Sequence, residues 1–281
     1  MIRSKNNFFR VSDGAHIYFE DYGSENLGNT IVILHGFLCS SKFFSKNIKE
    51  LSKSNRLILV DLRGHGSSSK ITNNLTIDQS AKDIKELLDF LNIDNAVLLG
   101  WSMGGSVVMS YYEQFENYRL KGLGLIDSCI YPFSDEWWNP HVCRGFNMDK
   151  MCSTMEFATY NHEIYCREFA KSILGETSSK EDENWVETEV KKTPPWIAFA
   201  LYSDFIMTDY SKTLDKIKIP FFSTGVNSKL IPIGADAAKY YTTRVSVDSY
   251  FYEFKSSHMT FYEDPITFNN TVLDFLNNYI D

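Results

Sequence analysis

The chain has 281 residues, enough for one large α/β domain or one domain carrying an insertion. Apolar residues make up 43% and charged residues 23%, the balance of a soluble protein with a buried core, and no apolar run approaches the roughly 18 residues of a membrane span. A formal charge of −8 argues against a nucleic-acid partner, because phosphates call for clustered Lys and Arg.

The imbalance is concentrated between Ile130 and Tyr210, where fourteen acidic residues face seven basic ones; this reads first as a solvated acidic surface. Met1 to Arg10 is basic, contains Phe8 and Phe9, and lacks the apolar stretch and cleavage site of a secretory signal, so a cytoplasmic location is expected. Cys39, Cys129, Cys143, Cys152 and Cys166 are odd in number and irregularly spaced, which predicts thiols rather than a disulfide framework. The six histidines show no metal-site spacing, and neither a metal nor an organic cofactor is called for.

In chain order, Phe8 to Val11 and His16 to Tyr22 flank the turn dipeptide Asp13-Gly14 and read as an antiparallel hairpin. Thr30 to Leu34, Arg56 to Val60 and Ala96 to Leu99 are continuous apolar runs, the pattern of strands buried on both faces. Between the last two, Ile77, Ala81, Ile84, Leu87, Leu88 and Leu91 share one face of a predicted helix over Thr76–Leu91, with Asp78, Lys82, Lys85 and Asp89 opposite. A helix then runs from Ser102 to about Tyr118, followed by a strand over Gly122–Ile126. From Cys129 to about Asp209 the strand rhythm stops; four of the five tryptophans lie there, which predicts a helical insertion over the sheet. Strands resume at Ile219–Thr224 and Tyr250–Phe254, and a helix opened by Pro265 runs to Tyr279. The alternation predicts an α/β fold, a mostly parallel sheet of eight strands with helices on both faces.

Chemistry concentrates at strand ends. Gly100-Trp101-Ser102-Met103-Gly104 follows a buried strand and opens a helix, where a nucleophile at a strained angle needs side-chain-free neighbours two positions away on either side. The helix start supplies free N–H groups, among them that of Met103, a natural oxyanion donor. His258, after the last strand, is a candidate base, because a serine hydroxyl needs a neutral imidazole within reach.

His35-Gly36-Phe37 after the third strand, Asp61-Leu62-Arg63-Gly64-His65-Gly66 after the fourth, and Gly100 to Gly105 after the fifth are three motifs in order. Through them the chain resembles the α/β-hydrolase family over nearly its whole length, in the form shared by capped esterases, perhydrolases and C–C bond hydrolases. The resemblance implies a core over 1–128 and 211–281, a helical cap over 129–210, Ser102 as nucleophile, His258 as base, and the Phe37 N–H as a second oxyanion donor beside Met103. It also implies that His65 belongs to a structural turn and that His35 is a structural hydrogen-bonder.

One departure matters. In Gly225 to Pro232, similar to the family's loop after the seventh strand, the position that usually carries the triad aspartate is Ser228. Asp127, at the end of the strand after the nucleophile's helix, resembles an alternative place for the acid in some members. A Ser–His dyad, another carboxylate, or a degraded site are the other readings open at this point. The expected function is hydrolysis of a carboxylic ester or related acyl compound through an acyl-enzyme on Ser102. Alternatives are an acyltransferase, a thioesterase, a C–C bond hydrolase, or a non-catalytic binding protein on this scaffold. The aromatic and methionine content of the insertion (Trp137, Trp138, Phe146, Phe157, Trp185, Trp196, Phe199, Met148, Met151, Met155) is expected mostly to form the cap's own core, and favours a small-molecule acyl substrate of apolar character.

Overall fold

Gly14 takes φ 93° and lets the chain reverse on itself between β1 (Lys5–Arg10) and β2 (His16–Tyr22), which pair antiparallel with Arg10 opposite His16. In this computed structural model, which describes residues 5–139, 141, 143–145, 147–175, 178–226 and 234–280, the remaining strands are β3 (Thr30–Leu34), β4 (Arg56–Asp61), β5 (Ala96–Trp101), β6 (Leu120–Ile126), β7 (Phe221–Val226) and β8 (Ser249–Phe254). The sheet order is β1-β2-β4-β3-β5-β6-β7-β8, antiparallel at β1–β2 and β2–β4 and parallel from β4 onward. This is the eight-stranded, mostly parallel α/β sheet predicted above.

The buried face pattern follows from composition. Every residue of β5 and β7 is buried, as expected of apolar strands covered by helices on both sides. Those helices are α1 (Ile48–Leu51), α2 (Ile77–Phe90), α3 (Met103–Phe115), α8 (Ala235–Arg244), α9 (Thr260–Glu263) and α10 (Pro265–Tyr279). In α2, Thr76 caps the first turn by accepting from the Gln79 N–H, and Ile77, Ala81, Ile84, Leu87 and Leu88 form the buried stripe. Between β6 and β7 lie α4 (Met148–Tyr160), α5 (His162–Ile173), α6 (Lys180–Val190) and α7 (Pro195–Met207), the helices of the predicted insertion.

Several boundaries differ from the pattern reading, β1 by three residues at its start, and two of the shifts have a plain local cause. The α3 helix stops at Phe115 rather than Tyr118, because Glu116 turns to φ 53° while its N–H still bonds Tyr112 O; β6 then begins at Leu120. The seventh strand begins at Phe221, since Pro220 has no N–H for a ladder and only its carbonyl, accepting from Leu123 N–H at 3.1 Å, joins the sheet.

Strand order locates the functional edge. The chain passes from β3 to β4 on one side, then crosses to β5 on the other, so a crevice opens where β3 and β5 end side by side. Register carries that edge across the sheet: Leu34 lies opposite Gly100, Trp101 opposite Ile126, Ile126 opposite Thr224, and Val226 opposite Phe254. The turn after β4 is locked from beneath. Arg63, fully buried, donates to both carboxylate oxygens of buried Asp83 (2.5 and 2.7 Å), to Asp13 at 3.2 Å and to Asn74 O at 3.0 Å.

Candidate active site

The turn from β5 into α3 puts Ser102 at φ 53°, ψ −123°, a conformation that a residue with a side chain adopts only under constraint. The constraint is close packing. A Cβ on Gly100 would overlap the Gly104 carbonyl, and one on Gly104 would lie 2.6 Å from Leu34 O, so the glycines allow the strand to turn this sharply into a helix pressed against β3. The elbow is pinned at both ends: Ser102 N–H donates to Ile126 O at 3.0 Å, and Ser102 O accepts from Ser128 Oγ at 2.6 Å. Ser102 keeps partial exposure while its neighbours Trp101 and Met103 are buried.

His258 sits between β8 and α9. Its carbonyl accepts from the Trp101 indole N–H at 3.0 Å, and its ring lies 5.1 Å from that indole, so the imidazole is held against the residue preceding Ser102. The ring's Nδ1 is 2.5 Å from Asp127 Oδ2. Asp127 follows β6 directly, at φ 42°, with its N–H donating to Thr224 O at 2.8 Å and its other oxygen, Oδ1, accepting from Val226 N–H at 3.0 Å. Asp127 is fully buried and His258 is 2% exposed. Against an acceptor carboxylate Nδ1 must carry the proton, which leaves Nε2 as the basic lone pair. The structure thus brings Asp127 and His258 together from residues 131 apart in sequence. Ser228 lies outside the described residues.

The loop after β3 is held by His35. Its Nε2 accepts the Leu62 N–H at 2.9 Å, so the proton is on Nδ1, which donates to Gly36 O at 2.8 Å. Gly36 packs against the elbow, close enough that a Cβ there would lie 3.0 Å from Ser102 Cβ. The Phe37 N–H belongs to the peptide that His35 grips, and the Met103 N–H is at the first position of α3, beyond the helix's own ladder. His65 is equally buried; its Nδ1 meets Arg63 O at 3.0 Å and its ring packs edge-on against His35 at 5.0 Å.

Burial holds His35 neutral and pushes its pKa down to about 4. The unfolded chain would take up that proton near 6.5, so the stability His35 contributes is present above pH 6.5 and is lost as pH falls toward 4, about 2 kcal/mol of it by pH 5. Buried His65, also pushed down, acts with the same sign, whereas Asp83, raised by burial to about 6 against the pull of Arg63, acts in the opposite sense below pH 6. The expected observation is a His35 imidazole that stays neutral in NMR from pH 8 to 5 and titrates near 4. A normal titration near 6.5 contradicts the tautomer assigned here.

Helices of the insertion close over this edge. The Phe37 ring meets Phe169 of α5 at 6.0 Å and Tyr202 of α7 at 5.3 Å, placing aromatic carbon beside the loop after β3. Trp185 stacks on Tyr262 at 5.3 Å, and Trp138 stacks on Tyr240 of α8 at 5.3 Å. These tie the insertion to the core rather than fill its own interior. Trp137, Trp196 and Phe199 are roughly half exposed or more. Trp196 and Phe199 line an outward groove of about 700 Å³ between α4 and α7, with Met151, Met155 and Tyr160 on its other wall. The expectation that these aromatics form mainly a cap core therefore fails for α7, whose apolar residues cover both its faces. Phe146 lies outside the described residues. Among the described residues no group of three His, Cys, Asp or Glu could hold a metal ion, and no helix is long and apolar enough to cross a membrane.

Comparison with known proteins agrees with this fold. Residues 29–142 match a family model described as the alpha/beta hydrolase fold. The AB hydrolase superfamily protein YisY of Bacillus subtilis is 25% identical over 97% of this chain and 99% of its own length. Among solved structures, an esterase from Exiguobacterium antarcticum superposes with a TM-score of 0.87 at 22% identity, covering 98% of this chain and all of that one. A bromoperoxidase from Bacillus anthracis superposes with a TM-score of 0.88 at 21% identity and the same coverage.

Proposed function

This chain belongs to the α/β-hydrolase fold family, and on that premise we propose that it is a serine hydrolase of carboxylic esters, with Ser102, His258 and Asp127 as its triad. The single observation that carries the reading is the contact of His258 Nδ1 with Asp127 Oδ2, in a histidine whose carbonyl is bonded to Trp101, the residue before the strained Ser102 elbow. With Nδ1–H committed to the carboxylate, His258 Nε2 takes the proton as Ser102 Oγ attacks the ester carbonyl. The tetrahedral oxyanion is received by the N–H groups of Phe37 and Met103. His258 then returns the proton to the departing alcohol, leaving an acyl group on Ser102. A water molecule, deprotonated by the same Nε2, attacks that acyl carbonyl, and Nε2 passes the proton to the departing Ser102 Oγ as the acid is released.

Residues 129–210 serve as the cap in this reading, and the approach of Phe169 and Tyr202 to Phe37 favours an uncharged acyl or aryl group of apolar character. A fluorophosphonate probe is expected to label Ser102 with one-to-one stoichiometry and to leave Ser102→Ala untouched. A series of p-nitrophenyl esters from acetyl to decanoyl then reports the acyl length accepted. Labelling without turnover of any ester turns the assignment toward a thioester, a C–C bond or a different acyl acceptor. Neither labelling nor turnover leaves a binding protein on a hydrolase scaffold.

A further inference from the structure

We propose that Glu263 is a positioning residue for His258, its carboxylate fastening the histidine loop to the chain that leaves α5. The proposal rests on His258 being the base. Glu263, the last residue of α9, accepts two main-chain N–H groups from opposite directions: Gly175, just beyond α5, at Oε1 (2.5 Å), and Ser257, immediately before His258, at Oε2 (3.0 Å). A carboxylate that accepts two amides makes charge-assisted bonds, the stronger kind available to a loop.

The same junction is closed a second way. Ser257 Oγ donates to Ile173 O at 3.2 Å and accepts from Met259 N–H at 3.3 Å, so the residue before the base is bonded to the end of α5 through its side chain and, via Glu263, through its main chain. Gly175 carries the fit in its sequence. A Cβ at that position would stand 2.8 Å from Glu263 Oε1 and 3.0 Å from Oε2, inside the contact distance of the carboxylate.

The consequence is that α5 touches both loops of the site. Its Phe169 packs on Phe37 of the oxyanion loop, and its C-terminal end is latched to the loop that carries His258. On the opposite side His258 is fixed by the Trp101 indole N–H on its carbonyl. The imidazole is therefore held between the elbow and the insertion, and a shift of α5 displaces the base relative to the oxyanion donors. Glu263 touches neither substrate nor reacting atoms in this scheme; it acts through Ser257.

Two variants test it from opposite ends of the latch. Glu263→Gln retains the length but presents an amide N–H₂ to one of the two donors, and Gly175→Ala pushes the carboxylate away. With active sites counted by fluorophosphonate titration, both are expected to lower kcat per titrated site on p-nitrophenyl acetate about tenfold with KM nearly unchanged, because a small misplacement of the base costs rate rather than binding. Both are also expected to displace the acid limb of the pH–kcat profile and to speed hydrogen exchange at the Ser257 amide. A role in stability alone lowers the melting temperature and the number of titratable sites, but leaves kcat per site and the acid limb where they were; that outcome overturns the proposal. Unchanged exchange at Ser257 in Glu263→Ala, which removes both acceptor oxygens, overturns the latch itself, independently of any activity. A wild-type protein that neither labels nor turns over ester instead removes the reading of His258 on which the proposal stands.

Discussion

Asp127→Asn is expected to lower kcat about 10⁴-fold with little change in KM, the loss that follows when a triad histidine is held in the wrong tautomer. The reason lies in the second oxygen. Val226 N–H donates to Asp127 Oδ1 at 3.0 Å, and an asparagine at 127 keeps that bond by placing its carbonyl there. Its N–H₂ then faces His258 Nδ1 where Oδ2 stood. An N–H₂ donor forces Nδ1 to accept, so the proton moves to Nε2 and the nitrogen facing the substrate cleft has no lone pair to offer Ser102. Ser228→Ala, at the position where the family resemblance would place the acid, is expected to leave kcat nearly unchanged. The check is kcat per fluorophosphonate-titrated site for both variants. A rate within tenfold of wild type in Asp127→Asn removes Asp127 from the mechanism and leaves a Ser–His dyad.

The parts of this molecule legible in its sequence are those specified by local rules. The strands from β2 to β8 announce themselves as short apolar or alternating runs, β1 only through Phe8 and Phe9, and the Ser102 elbow is written as two glycines around a serine after such a run. What was not legible depends on contacts between distant residues. Asp127 and Ser228 are both plausible acids or stand-ins by position, and only the approach of residue 127 to residue 258 separates them. Helix α8 escapes the pattern reading because three of its four buried residues, Ala235, Ala237 and Ala238, are small, and Tyr241 alone adds bulk to a weak apolar face. The outward placement of Trp196 and Phe199 escapes it too, since α7 is apolar on every side and periodicity then carries no orientation. Backbone strain is the signal a sequence hides most fully. Ser102 and Asp127 both sit at positive φ at the ends of adjacent strands, and neither residue type declares it.

His35→Ala is expected to cost about 10²-fold in kcat, the worth of one oxyanion donor, although His35 is fully buried and its side chain bonds main chain alone. A single peptide, that between Gly36 and Phe37, links the two residues. In a trans peptide the carbonyl and the N–H point in opposite directions, so the bond from His35 Nδ1–H to Gly36 O fixes where the Phe37 N–H points. Cys39 N–H also reaches Gly36 O, at 3.2 Å, so the carbonyl keeps one donor and the loop retains its course when His35 is removed. The aim of the Phe37 N–H, held by one bond where there were two, loosens. Removing the imidazole also strands the buried Leu62 N–H, a cost of about 1–3 kcal/mol in stability. The two effects separate by measurement. Stability loss appears in the urea midpoint and in the fraction of sites that label, whereas a misdirected oxyanion donor appears as lower kcat per labelled site with KM held. Unchanged kcat per site in His35→Ala would mean that the Phe37 N–H is aimed without His35, or that it receives no oxyanion.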